Sequence, residues 1–116
     1  MTTVRASLQN YRVSARKARL LADQIRGKGV GEALAILDLS PKRFARPLAK
    51  LVRSALANAE DRNSRDKAGI DIDNLIVRHV CVNQGPSMWR IHARAQGRAA
   101  WIQRRTSHVD VELAEE

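Results

Sequence analysis

Five arginines, Arg90, Arg94, Arg98, Arg104 and Arg105, fall within residues 84–108 of this 116-residue chain, and no Asp or Glu lies among them. A guanidinium meets phosphate bidentately and stacks on bases, so a carboxylate-free run of arginines is suited to gripping structured RNA. Trp89 and Trp101 interleave with them and could stack on bases or pack on a wall. A second basic group, Arg12, Arg16, Lys17, Arg19, Arg26 and Lys28, lies near the start of the chain. Residues 1–60 hold twelve Lys/Arg against four Asp/Glu, residues 61–83 four of each, and residues 109–116 four acids and no base. With a formal net charge of +9, nucleic acid is the leading partner class and an anionic membrane surface the second.

Other chemistries fit less well. Ser107, His108 and Asp110 name a triad, but on a strand adjacent side chains project to opposite faces, so Ser107 cannot reach the His108 imidazole. His79, Cys81, His92 and His108 could be metal ligands, yet no CxxC or HxxxH spacing gathers them. Cys81 reads as a small half-buried hydrophobe instead. Gly27-Lys28-Gly29-Val30-Gly31 is glycine-rich but lacks the phosphate-loop spacing, the following Ser/Thr and a preceding strand. Neither a catalytic residue, a metal, a cofactor nor a small-molecule substrate is expected. The longest apolar run, the five residues Ala33-Leu34-Ala35-Ile36-Leu37, is far short of the roughly 20 residues that span a bilayer, and Leu75-Ile76-Val77 is shorter still. Met1 to Arg5 carries no secretion signal, and a single cysteine fits a reducing compartment, so the expected location is cytoplasmic.

The elements that must carry these residues follow from periodicity. Residues 14–28 read as a helix with Ser14 as N-cap, Gly27 as left-handed stop and Ala18, Leu21, Ala22 and Ile25 as buried stripe. Arg16, Lys17 and Arg19 fall off that stripe and face outward. A second short helix spans about Val30 to Leu37. Ser40-Pro41 looks like the opening of a third, with Phe44, Leu48, Leu51, Val52, Ala55 and Ala59 as its stripe. Pro47 conflicts with that opening and favours a later start.

After a polar stretch from Asp61 to Gly69 the period changes to two. Val80 and Val82, then Val109, Val111 and Leu113, read as half-buried strands. Gln96-Gly97 resembles a two-residue hairpin loop, and pairing about it sets Val82 opposite Val111 and Val80 opposite Leu113. The upper hairpin then has no core. It carries Arg90, Arg94 and Arg105 on one face and Arg98 and Arg104 on the other. An arm with basic residues all round is built to enter something anionic.

Residues 85–108 carry the frame Gly-Pro-x-x-x-Arg, then Arg-Ala-x-Gly-Arg-Ala, then Arg-Thr-Ser-His. With Ser-Ala-Leu-Ala-Asn-Ala-Glu at 54–60 and Lys-Ala-Arg-Leu-Leu-Ala-Asp-Gln-Ile-Arg-Gly-Lys at 17–28, the chain closely resembles the large ribosomal subunit protein L-twenty-two family. The resemblance implies an α+β fold in a single domain over residues 1–116. A small three-stranded antiparallel sheet would pack with three helices, and residues 85–108 would form a protruding β-hairpin. It implies a structural role, with large-subunit rRNA, neighbouring ribosomal proteins and the nascent polypeptide as partners, and no membrane. Met88, Trp89, Arg90, Arg94, Gln96, Gly97, Arg98 and Trp101 would belong to the hairpin that lines the peptide exit tunnel near the macrolide site. Arg104, Arg105, Thr106, Ser107 and His108 would form the returning RNA-facing arm. The chain departs from the family in Trp89 and Trp101, where a basic residue is usual, and in Ala93, where proline is usual. Charge and hairpin alone also fit a free-standing basic nucleic-acid-binding module, DNA-architectural or regulatory.

Overall fold

A computed structural model describes residues 3–67 and 69–115, with only the backbone of Asp66. Met1 and Thr2 of the stretch read for a secretion signal, Ala68 of the polar stretch and Glu116 of the acidic tail lie outside the described residues. The element order is β1 (Thr3–Tyr11), α1 (Ala15–Ile25), α2 (Val30–Leu39), α3 (Ala45–Asp66), β2 (Leu75–Gln84), β3 (Met88–Ala93), β4 (Ala99–Arg104) and β5 (Ser107–Glu115). Strands β1, β5 and β2 form an antiparallel sheet in that order, and β3 and β4 pair only with each other. This is the α+β architecture expected, three helices and a three-stranded sheet with a hairpin carried between two of its strands.

The aliphatic stripes find one another on one face of the sheet. Ala18, Leu21, Ala22 and Ile25 of α1 are fully buried, and Leu48, Val52, Ala55 and Ala59 of α3 are equally so. They meet Val4, Val77, Val80, Val109, Val111 and Leu113 in one cluster, with α3 against β1 and α1 against β2. Leu75, Val77, Val80 and Val82 all reach this core although the step from 77 to 80 breaks a period of two. A bulge between Val77 and His79 inserts the extra residue that restores the phase. Strand β1 has its own alternation, Val4, Ala6 and Leu8 against Arg5, Ser7 and Gln9, which the sequence reading did not use to place it.

Two local expectations are corrected and a third is borne out. Ser14 occupies the N-cap of α1 with extended backbone, but its side chain makes no capping hydrogen bond. Helix α3 starts at Ala45, the later start that Pro47 favours over Ser40-Pro41, and continues to Asp66 into the polar stretch that begins at Asp61. Pro47 is its third residue, where no intrahelical partner exists for a backbone N–H, so the ring costs nothing there. The hairpin tip is not a two-residue loop. Arg94 N–H donates to the Arg98 carbonyl at 2.7 Å across a short 3-10 turn, Ala95–Gly97, in which Gln96 and Gly97 both have positive φ.

That tip sets the register of everything below it. Its centre at Gln96 pairs Arg90 with Ile102, one position from the expected match. At the root, three residues (85–87) face two (105–106), and this adds a second shift in the same direction. Val82 therefore pairs with Val109 and Val80 with Val111, two positions from the expected partners. Two shifts preserve the core face of β2 and β5, whereas the single shift in the arm exchanges its faces. Arg90 and Arg104, expected on opposite faces, share one.

Candidate nucleic-acid interface

The root of the arm is clamped to the globule by the Arg-Thr-Ser-His segment. Thr106 and Ser107, expected to face RNA, are 5% and 0% exposed. The Thr106 hydroxyl donates to the Pro86 carbonyl across the root, and Ser107 Oγ donates to the Val13 carbonyl at 2.7 Å. Both hydroxyls are engaged inside the protein, and little of either side chain is exposed. His108 is half-buried, and its Nδ1 accepts the Asn10 N–H at 3.1 Å. Gly85 belongs to this joint because a Cβ there would stand 2.7 Å from Thr106 Oγ1 and 3.2 Å from the His108 ring. Ser107 and His108 also leave no triad, since each is engaged elsewhere.

Beyond the root nothing covers the arm. Every residue of β3 is exposed, and the long axis of the molecule is 65 Å against 27 and 18 Å for the others. The radius of gyration, 17.5 Å, exceeds the roughly 13 Å of a compact chain of this length. Register puts Met88, Arg90, His92, Ile102 and Arg104 on one face and Trp89, Ile91, Trp101 and Gln103 on the other. Trp89, Ile91 and Trp101 are 58%, 66% and 68% exposed, with Ile91 directly opposite Trp101. Arg94 and Arg98 flank the tip, opposite each other. The arm is thus one cationic face, one aromatic face and a basic end.

The first helix divides its cations between two jobs. Arg19 Nε and Nη2 both donate to the Val82 carbonyl, at 3.2 and 3.0 Å, and Arg26 Nη2 donates to the Val80 carbonyl at 2.7 Å. Arg26 also pairs with Asp23 at 2.7 Å. These residues lie two helical turns apart and occupy the free edge of β2, whose carbonyls would otherwise invite another strand. Gly27 and Lys28 extend the cover through reciprocal hydrogen bonds with Val77. Lys28 Nζ lies 3.9 Å from Glu32. Arg19, Arg26 and Lys28, singled out for RNA, are already spending part of their hydrogen-bonding capacity within the protein.

Arg12, Arg16 and Lys17 have no such partner among the described residues. Arg12 and Lys17 line a cleft of about 740 Å³ between the start of α1, the turn before α3 and the hairpin root. Lys42, Arg43, Arg104 and Arg105 complete its rim, and among the described residues no Asp or Glu lines it. The fold therefore joins Arg12 and Lys17 of the N-terminal basic group to the returning arm in one concave surface, which Arg16, Arg19, Arg26 and Lys28 do not line. Lys42 and Arg43 were missed because they stand in the turn between Ser40-Pro41 and α3, outside both basic groups that the sequence singles out. Their signal was the basic pair between two apolar stripes.

Among the described residues no group of three His, Cys, Asp or Glu could hold a metal ion, and no helix is long and apolar enough to cross a bilayer. His79 is exposed and Cys81 half-buried on the sheet face away from the helices, paired across it with Glu112 and Asp110.

Comparison with known proteins agrees with this architecture. Two curated relatives, both named large ribosomal subunit protein uL22, come from Anaeromyxobacter sp. strain K and Anaeromyxobacter sp. strain Fw109-5. They are 52% and 51% identical to this chain over 108 residues, covering 93% of it and 71% and 72% of their own lengths. The sequence profile of ribosomal protein L22p/L17e matches residues 6–114, and the chain belongs to that family.

Proposed function

We propose that this chain is a non-enzymatic structural component of the large ribosomal subunit in the cytoplasm, holding rRNA with its basic cleft and with the cationic parts of its arm. Family membership and the relatives' names support the assignment to the large subunit. The observation that carries RNA contact is the sorting of cations. Arg5, Arg26, Lys28, Arg53 and Arg65 have carboxylate partners, while Arg12, Lys17, Arg90, Arg94, Arg98 and Arg104 have none among the described residues, and neither do Arg16, Arg46 and Lys50 outside the cleft and arm. Unpaired cations gathered on a concave surface and a coreless arm raise self-repulsion, which neutralisation by phosphate relieves.

In this reading the arm reaches inward, its tip at Arg94, Gln96, Gly97 and Arg98 lines the nascent-peptide exit tunnel, and Met88 and Arg90 lie on the stretch near the macrolide site. Neighbouring ribosomal proteins and the nascent chain complete the partners, and early binding of rRNA supports assembly. Phosphate contacts fix register and shape, not sequence. Cleft and arm together neutralise about eight phosphates, so log K falls against log salt with a slope of roughly −6 to −7. A salt titration of binding to large-subunit rRNA measures this, and a slope near zero contradicts the mechanism. Co-sedimentation gives the second test. Stoichiometric presence in large subunits is expected, and recovery only as free or nucleoid-bound protein would favour a free-standing module.

A further inference from the structure

We infer that the basic cleft between α1, the turn before α3 and the hairpin root receives an unstacked RNA nucleotide, its flanking phosphates on the cationic rim and its base on an apolar floor. The inference deepens the RNA-binding reading and rests on it. What distinguishes the cleft from a plain phosphate-binding patch is Leu20, 53% exposed inside a ring of cations. An exposed leucine alone means little. Here it stands one turn from Lys17 on the same helix face, a spacing that sets the two Cβ atoms about 5–6 Å apart.

Leu21, fully buried, and Phe44, 6% exposed, line the cleft beside Leu20. The Phe44 ring packs on Tyr11, with centroids 5.6 Å apart and planes at 51°. Gln103 contributes an amide to the wall, and its Oε1 is contacted only at 3.5 Å by Arg105, which leaves the amide N–H groups to donate to a base edge. Cations at the rim, an exposed apolar side chain at Leu20 and one amide match the parts of a nucleotide in order: phosphate, base face, base edge. A duplex presents phosphates but keeps its base faces stacked, so it would use the rim and leave the floor empty. The absence of any carboxylate excludes a basic peptide as occupant, and the floor is wasted on an inorganic anion.

The test uses the full chain and intact large-subunit rRNA as probe. Leu20→Ser, a surface change, is expected to weaken binding about fivefold without altering the salt slope, since stacking and apolar contact are insensitive to salt. Leu20→Met should bind as the unsubstituted chain does, which separates lost contact from lost folding. Lys17→Ala should lower the magnitude of the salt slope by about one. A photo-crosslinking residue placed at position 20 should join a nucleotide that is reactive to 2′-OH acylation in the free RNA. Crosslinking to a paired nucleotide or to another protein, or unchanged affinity in Leu20→Ser, overturns the inference and leaves RNA binding standing. Failure of the unsubstituted chain to bind at all overturns both.

Discussion

Strands β2 and β5 run directly into β3 and β4, yet the two halves of this continuous ribbon have opposite characters. In the lower half one face of β2 and β5 is buried, in step with the bulge at Val77, and its valines and leucines meet the helices. In the upper half all of β3 is exposed. The lower half is held by its own core, whereas an isolated two-stranded ribbon is marginal in water. The difference teaches that packing within the chain does not specify the upper half. In the proposed function, its arginine, tryptophan and histidine answer to a partner's surface instead.

Substitutions of matched size should separate the halves most sharply. Leu113→Ala, at a fully buried position of β5, should cost about 2–5 kcal/mol in urea unfolding, whereas Ile91→Ala in β3 should stay within about 0.5 kcal/mol of zero. Equal losses would mean that the arm has a core of its own. At the junction, Ser107→Ala strips the Val13 carbonyl of its buried donor and should cost about 1–3 kcal/mol.

The two kinds of cation give a smaller but crossed effect. Arg26→Ala should lose about 1 kcal/mol of stability through the Val80 carbonyl and the edge of β2, and leave the salt slope of RNA binding nearly unchanged. Lys42→Ala, at the cleft rim, should leave stability within about 0.5 kcal/mol and lower the slope magnitude by about one. If both variants affect stability alone, the cleft is not an RNA surface. Finally, amide hydrogen exchange in the free chain should be fast throughout β3 and β4 and slow in β2 and β5.

The stripes of α1 and α3 were legible because helical spacing of aliphatic residues has one economical solution, a face against the sheet. The hidden start of α3 was half legible: Pro47 argued for a late start, but only the structure placed it in the first turn, where its missing N–H is harmless. Faces of β2 and β5 came out right with the wrong partners, because two single-residue shifts, one at Gln96 and one at the root, cancel in parity. The arm has only the first shift, so its faces were exchanged. No hydrophobic pattern was there to correct it. Thr106 and Ser107 looked like polar contact residues, since nothing local in the sequence announces the Pro86 and Val13 carbonyls that claim their hydroxyls. The cleft was the least legible feature, because it is assembled from residues 12–21, 42–44 and 103–105, three segments far apart along the chain.

A cryo-electron microscopy map of the large subunit of the organism that encodes this chain, read along residues 85–108 and around Lys17, Leu20 and Lys42, tests the central claim most directly. The account predicts RNA density against Arg90, Arg94, Arg98 and Arg104 and within the cleft, with both indoles in contact with bases or with the wall around them. An arm folded back on its own globule or standing in solvent, with no RNA at either place, would contradict it.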